Sequence, residues 1–124
     1  MPAPATVDEY IAGFPPEVAE RLQRVREIVV DAVRSGTGRE PEEKMRYGIA
    51  AVMLGGRYAL HYAGWKKHIG LYPVPTLPDA VEADVAPHRA EKDSVTFPHA
   101  RPLPYDLVGR IAAAIVAQRG AAEG

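Results

Sequence analysis

A chain of 124 residues with 15 lysine and arginine against 16 aspartate and glutamate carries a formal charge of -1 at pH 7, so it has no overall electrostatic pull toward nucleic acid or an anionic membrane. With 47% hydrophobic and 25% charged residues, it has the composition and size of one folded domain with a single core. The absence of cysteine excludes disulfides, thiolate catalysis and thiolate metal sites, leaving His, Asp, Glu and Tyr as the strong ligands or reactive groups. The opening MPAPATVDEY lacks the basic start and apolar core of a secretory signal, and no apolar run approaches the roughly 20 residues that span a bilayer. The expectation is a cytoplasmic protein with neither a nucleic-acid nor a membrane partner.

After a flexible start at residues 1–5, Thr6 and Glu9 have the spacing of a capping box, which predicts a short helix over 7–12. Gly13, Phe14, Pro15 and Pro16 interrupt it. From Pro16 onward Val18, Leu22, Val25, Ile28, Val29, Ala32 and Val33 recur at steps of three and four, predicting a long amphipathic helix that stops at Ser35 and Gly36. The pattern then changes to β-prone runs at 43–47, 49–54, 57–63 and 67–72, with Gly55 and Gly56 supplying a tight hairpin turn. Pro73 and Pro75 end the last run. Residues 77–89 read as a short helix plus loop, and 94–97 as a returning strand. A terminal helix is predicted from about Pro104, with Leu107, Val108, Ile111, Ile115 and Val116 on one face, Gly120 past its end, and a flexible 120–124. The plan is a single α+β domain over 6–119, an antiparallel meander packed against N- and C-terminal helices.

The stretch AGWKKHIGLYPVP holds the chain's single tryptophan, Trp65, beside Lys66, Lys67 and His68. Two point charges, an imidazole and a flat wall describe an anion-recognition corner. The plainer reading is a solvated strand edge whose charges discourage aggregation, with Trp65 as partly buried packing. A period of two places His68, Gly70 and Tyr72 opposite Ile69 and Leu71, with room at Gly70 for a small ligand or a neighbouring side chain. The same period places His61 opposite both Tyr58 and Tyr62. Glu43, followed by Lys44, Arg46 and Tyr47, reads either as a general base near cations or as a strand-edge ion pair.

For metals, Glu20, Glu27 and Asp31 fall on one stripe of the long helix, an oxygen-rich set suited to a hard cation. Arg21, Arg24 and Arg34 interleave with them, which also describes a salt-bridged solvent face. His61, His68, His88 and His99 show no dense ligand spacing, so no structural zinc is expected. Ser35 and Ser94 lie in no nucleophile motif, and the glycines form no phosphate loop or dinucleotide fingerprint. No organic cofactor is predicted, and nothing positively signals catalysis.

The segments GWKKHIGLYPVP and SVTFPHARPLPYDLVGRI resemble the YdhG-like domain family, a domain of unknown function found in small bacterial proteins. The resemblance rests on Glu43, on Tyr47 with Gly48, on Lys66, Lys67 and His68 with Leu71, Tyr72 and Pro73, and on Phe97 with Pro102, Leu103 and Pro104. Ala50 stands where the family usually has proline, and Asp93 stands where glycine commonly precedes the Ser or Thr. The resemblance implies an α+β fold and, for some members, a frataxin-like role as an iron chaperone that holds Fe(II) weakly for an iron–sulfur or haem assembly partner. Weak oxygen ligation is consistent with delivery. Four functions follow as expectations. The first is a non-enzymatic iron chaperone with metal ligands Glu20, Glu27 and Asp31. The second binds a small anionic or phosphate-bearing ligand through Glu43, Tyr47, Trp65, Lys66, Lys67, His68 and Tyr72. An enzyme with His68 as acid or base comes third, and a homodimer formed through Trp65 and the tyrosines is the structural alternative to a monomer.

Overall fold

The computed structural model describes residues 3–123. The flexible ends expected at 1–5 and 120–124 therefore fall partly outside the described residues, at positions 1, 2 and 124. Thr6 caps α1 (Val7–Ala12) by accepting the Glu9 N–H at 3.1 Å, while the Glu9 carboxylate accepts from the N–H of Ala5 at 3.0 Å, one residue before the position a strict capping box would use. Helix α2 (Pro16–Thr37) buries Leu22, Val25, Val29 and Val33 and ends at Gly38, whose φ of 72° suits the left-handed cap. It therefore runs through Ser35 and Gly36. Gly36 is a packing contact rather than a stop, because a Cβ there would lie 2.5 Å from Cγ1 of Val116.

Five strands follow: β1 (Glu43–Arg46), β2 (Ile49–Leu54), β3 (Arg57–Gly64), β4 (His68–Tyr72) and β5 (Val95–Pro98). They pair antiparallel in chain order. Gly55 and Gly56, with φ of 59° and 83°, turn β2 into β3 as expected. Tyr47 is not part of the first strand: with Gly48 it makes the β1–β2 turn at φ of 58° and 76°. A tyrosine in the left-handed region is uncommon, because its Cβ crowds the carbonyl that a glycine would leave free.

Between β4 and β5 lie α3 (Asp79–Val85), a 3₁₀ turn (Ala86–His88) and a connection fastened by Arg89. The Arg89 guanidinium donates to both Glu82 oxygens at 2.7 Å and to the carbonyls of Val74 and Pro75 at 2.7 and 2.8 Å. That fork, with the Leu77 N–H, holds the Glu82 carboxyl down to about 2. Helix α4 (Tyr105–Glu123) continues past Gly120, since one glycine costs a helix only about 1 kcal/mol and does not by itself end it.

Helices α1, α2 and α4 pack on one face of the sheet, and α3 packs on α4. The core lies between these layers, built from Leu22, Val25 and Val29 of α2, Leu60 and Tyr62 of β3, Ile69 and Leu71 of β4, Phe97 of β5, and Val108 and Ile111 of α4. No described helix is long and apolar enough to cross a membrane.

Candidate functional site on the uncovered sheet face

Among the described residues no helix covers the second face of the sheet. Its residues follow from the alternation that places Ala50, Val52, Ile69 and Leu71 in the core. Lys44 and Arg46 of β1, Ala51 and Met53 of β2, His61 and Ala63 of β3, and His68, Gly70 and Tyr72 of β4 point the other way. Ala51 pairs with His61 and His61 with Tyr72, while Ala63 pairs with Gly70. These rows put the small residues mid-sheet and the aromatic ones around them.

Tyr58 joins this face through a β-bulge. Val52 pairs with Leu60 but Met53 with Tyr58, so Ala59 has no partner. Ala59 and Leu60 both belong to the core, and the period flips. The expectation that His61 lies opposite both neighbouring tyrosines therefore holds for Tyr62 and fails for Tyr58, whose ring stacks on His61 at 5.2 Å between centroids.

The room expected at Gly70 is taken by a side chain. Tyr72 folds back over it, such that a Cβ at Gly70 would sit 1.8 Å from the Tyr72 hydroxyl oxygen. That oxygen accepts the Trp65 indole N–H at 2.8 Å, so the two rings brace each other although Trp65 is 46% exposed. The loop between β3 and β4 is tied down too. The Trp65 N–H donates to the His68 carbonyl at 2.8 Å, the His99 N–H donates to the Lys67 carbonyl at 2.9 Å, and the His99 ring Nε2 lies 2.8 Å from the Trp65 carbonyl.

Two hollows share the pair Trp65 and Tyr72. One, of about 570 Å³, is completed by Lys66, Lys67 and His68. Among the described residues neither lysine has a carboxylate within ion-pairing distance, and both are exposed. The other, of about 500 Å³, is lined by Arg46, Tyr47, Ile49, His61, Trp65, Tyr72 and Pro73. Arg46 lies over the rings of Tyr47 and Tyr58 at 4.6 and 4.1 Å and donates to the Tyr47 hydroxyl at 2.8 Å, an arrangement that positions a cation without neutralising it.

His61 forms part of the floor, 6% exposed. Its Nδ1 lies 3.2 Å from the Tyr72 carbonyl, so Nδ1 carries the proton, and Nε2 is a buried acceptor with no partner. An unmet buried polar atom costs a fold about 1–3 kcal/mol. Burial pushes the His61 pKa below the usual imidazole value; the Tyr72 carbonyl opposes this and the positive charge of Arg46 adds to it.

Of the ligand residues expected from sequence, Trp65, Lys66, Lys67, His68 and Tyr72 meet around one hollow, and Tyr47 lies in the adjacent one. Glu43 does not join them. It is turned toward the helices, where both oxygens accept from Arg26 of α2 at 2.8 and 2.9 Å, and Arg26 also binds Asp8 of α1 at 2.6 Å. This corresponds to the ion-pair reading of Glu43, and the fork raises the Arg26 pKa further. Glu20, Glu27 and Asp31 are exposed on α2. Glu27 accepts from Gln23 at 3.2 Å and Asp31 from Arg34 at 2.6 Å, and among the described residues no three His, Asp or Glu side chains come together to hold a metal.

Sequence reasoning missed Arg46 and His61 as site residues. A usable signal was present: from Lys44 to Pro78 the chain has no aspartate or glutamate, but has Lys44, Arg46, Arg57, Lys66 and Lys67. The near-neutral net charge conceals a cationic sheet.

The structure is a small single-domain α+β fold, an antiparallel meander backed by helices with an aromatic and cationic outer face. Such a fold is known in a crystal structure from Bacillus subtilis described as a protein from the DUF1801 family (ydhg), with a TM-score of 0.70, 19% sequence identity, and coverage of 93% of this chain and 91% of that one. The likeness is one of fold, and it matches the YdhG-like architecture read from the sequence. Compared by sequence, the chain matches no family model and no curated protein.

Proposed function

We propose that the chain is a non-enzymatic, cytoplasmic binding protein that takes a small anionic, phosphate-bearing ligand at the corner formed by Trp65, Lys66, Lys67, His68 and Tyr72. The observation that carries this reading is a shallow, open hollow flanked by two lysines with no carboxylate partner among the described residues, on a loop pinned by His99. Pinned backbone lowers the ordering cost of binding, and unpaired ammonium groups supply charge-assisted hydrogen bonds. Calorimetric titration with inorganic phosphate tests it. Saturable binding should weaken at least about tenfold in Lys67→Ala, the loss expected for a charge-assisted contact; absence of saturable binding to phosphate and to simple phosphate monoesters would remove the reading.

The iron-chaperone reading rests on the sequence resemblance. Its test is an anaerobic Fe(II) titration of the wild type beside a triple Glu20→Gln, Glu27→Gln, Asp31→Asn variant. Saturable binding lost in the triple variant would make iron delivery the function and assign the lysines to docking an acidic assembly partner. An acid–base role for His68 is weakened by Glu43, whose two oxygens are both engaged by Arg26.

A further inference from the structure

We infer that the second hollow, lined by Arg46, Tyr47, Ile49, His61, Trp65, Tyr72 and Pro73, is a binding site for a flat aromatic carboxylate. The inference is independent of the lysine corner. Its volume of about 500 Å³ lies within the range of sites that enclose small organic ligands, typically about 300–1,000 Å³. Its walls are predominantly ring faces and aliphatic carbon. Flat surfaces of this kind select a flat ligand body, because stacked or edge-on ring contacts need matching planes.

The polar groups select the ligand's charge and its form. Arg46 is the cation among the lining residues, and no carboxylate lines the hollow. One of its terminal nitrogens is engaged by the Tyr47 hydroxyl, and the remaining N–H groups keep the planar fork that matches a carboxylate. The guanidinium is already ordered by the rings of Tyr47 and Tyr58, so little freedom is lost when an anion arrives. The Tyr72 hydroxyl accepts from Trp65 and retains its own hydrogen to donate.

One feature points to a ligand rather than to packing. Tyr47 is 79% exposed and sits at φ of 58°. A large ring is held in water on an unfavourable backbone, and strain of this kind collects where a fold serves binding.

Calorimetry with 2-naphthoate, cyclohexanecarboxylate and 2-naphthalenemethanol tests the inference. The expected result is single-site binding of 2-naphthoate, with the saturated acid and the uncharged alcohol each weaker by about tenfold or more. Arg46→Lys, which keeps the charge and loses the fork, and Tyr47→Ala should each weaken 2-naphthoate binding by about tenfold while the thermal unfolding transition is retained. Replacing both Lys66 and Lys67 with alanine should leave it unchanged. No saturation at millimolar 2-naphthoate, equal binding of the three probes, insensitivity to Arg46→Lys, or dependence on the two lysines would each overturn the inference. Phosphate binding stands or falls separately, so failure at one hollow does not decide the other.

Discussion

Adjacent residues of β3 show how differently the two faces of the sheet are finished. Tyr62 is fully buried in the core, on the strand that packs against α2 and α4. The charges at the margin of that layer are matched, Arg26 lying between Asp8 and Glu43. His61, one position earlier, is roofed only by side chains of its own sheet and turn, with Tyr58 and Tyr47 stacked near it and Arg46 close by. Small residues, Ala51, Ala63 and Gly70, lie beneath rings that reach in from the rim. Each face leaves one buried polar atom without a partner, the Tyr62 hydroxyl on one and His61 Nε2 on the other; what separates them is that the covered face matches its charges and the other keeps cations with no carboxylate beside them.

The largest expected effect separating the two faces is on folding. Phe97→Ala or Leu60→Ala, both in the core, should lose about 3–5 kcal/mol in urea unfolding, the usual cost of a large core cavity. Trp65→Ala should lose less than about 1 kcal/mol, in keeping with a partly exposed side chain. A loss at Trp65 equal to that at Phe97 would break the comparison.

Two glycines sharpen it. A Cβ on Gly64 meets Phe14 at 2.8 Å and Leu22 at 3.0 Å inside the core, whereas a Cβ on Gly70 meets the far end of Tyr72, which can swing into solvent. Gly64→Ala should therefore cost about 1–3 kcal/mol by overpacking. Gly70→Ala should cost less than half of that and be visible instead as changed Trp65 fluorescence, because Tyr72 can no longer hold the indole N–H.

Much of the fold was legible from local signals: both long helices follow from apolar periodicity, the short first helix from its capping residues, and the five strands from β-prone runs between turn residues. Gly55 and Gly56 marked their turn because glycine takes positive φ freely. The bulge was not legible, since an alanine at 59 fits either face of a strand and gives no sign that the alternation slips. The Tyr47 turn was missed because tyrosine is not a turn residue. At the site, residue type was enough to find the lysine corner, but assigning Glu43 to it required knowing which side of β1 the helices cover. Arg46 and His61 became neighbours only through pairing of β1, β2 and β3.

Acid titration divides the faces in a third way. His61 binds its proton less readily folded than unfolded, so its contribution is present above the unfolded value of 6.5 and is lost as pH falls below it. Glu82 follows the same sign at lower pH: its contribution is present above 4.5 and is lost toward about 2. Urea midpoints of the wild type should fall first as pH drops below 6.5 and again between 4.5 and about 2. His61→Phe should flatten the first step, and Glu82→Gln the second.

The smallest expected effect is at Tyr47→Asn. Asparagine tolerates the left-handed region, so stability should be unchanged or rise by up to about 1 kcal/mol, while 2-naphthoate binding falls. A clear loss of stability would mean that the ring serves the fold.

The unpaired Ala59 behaves on the sheet much as an extra letter behaves in a reading frame. Every side chain on its N-terminal side in β3 is addressed to the face opposite the one simple alternation assigns, while those on its C-terminal side keep their places. Deleting that one alanine would therefore restore the plain alternation with every existing pair kept. Tyr58 would remain opposite Met53 on the outer face beside Arg46, and no residue that lines either hollow would change.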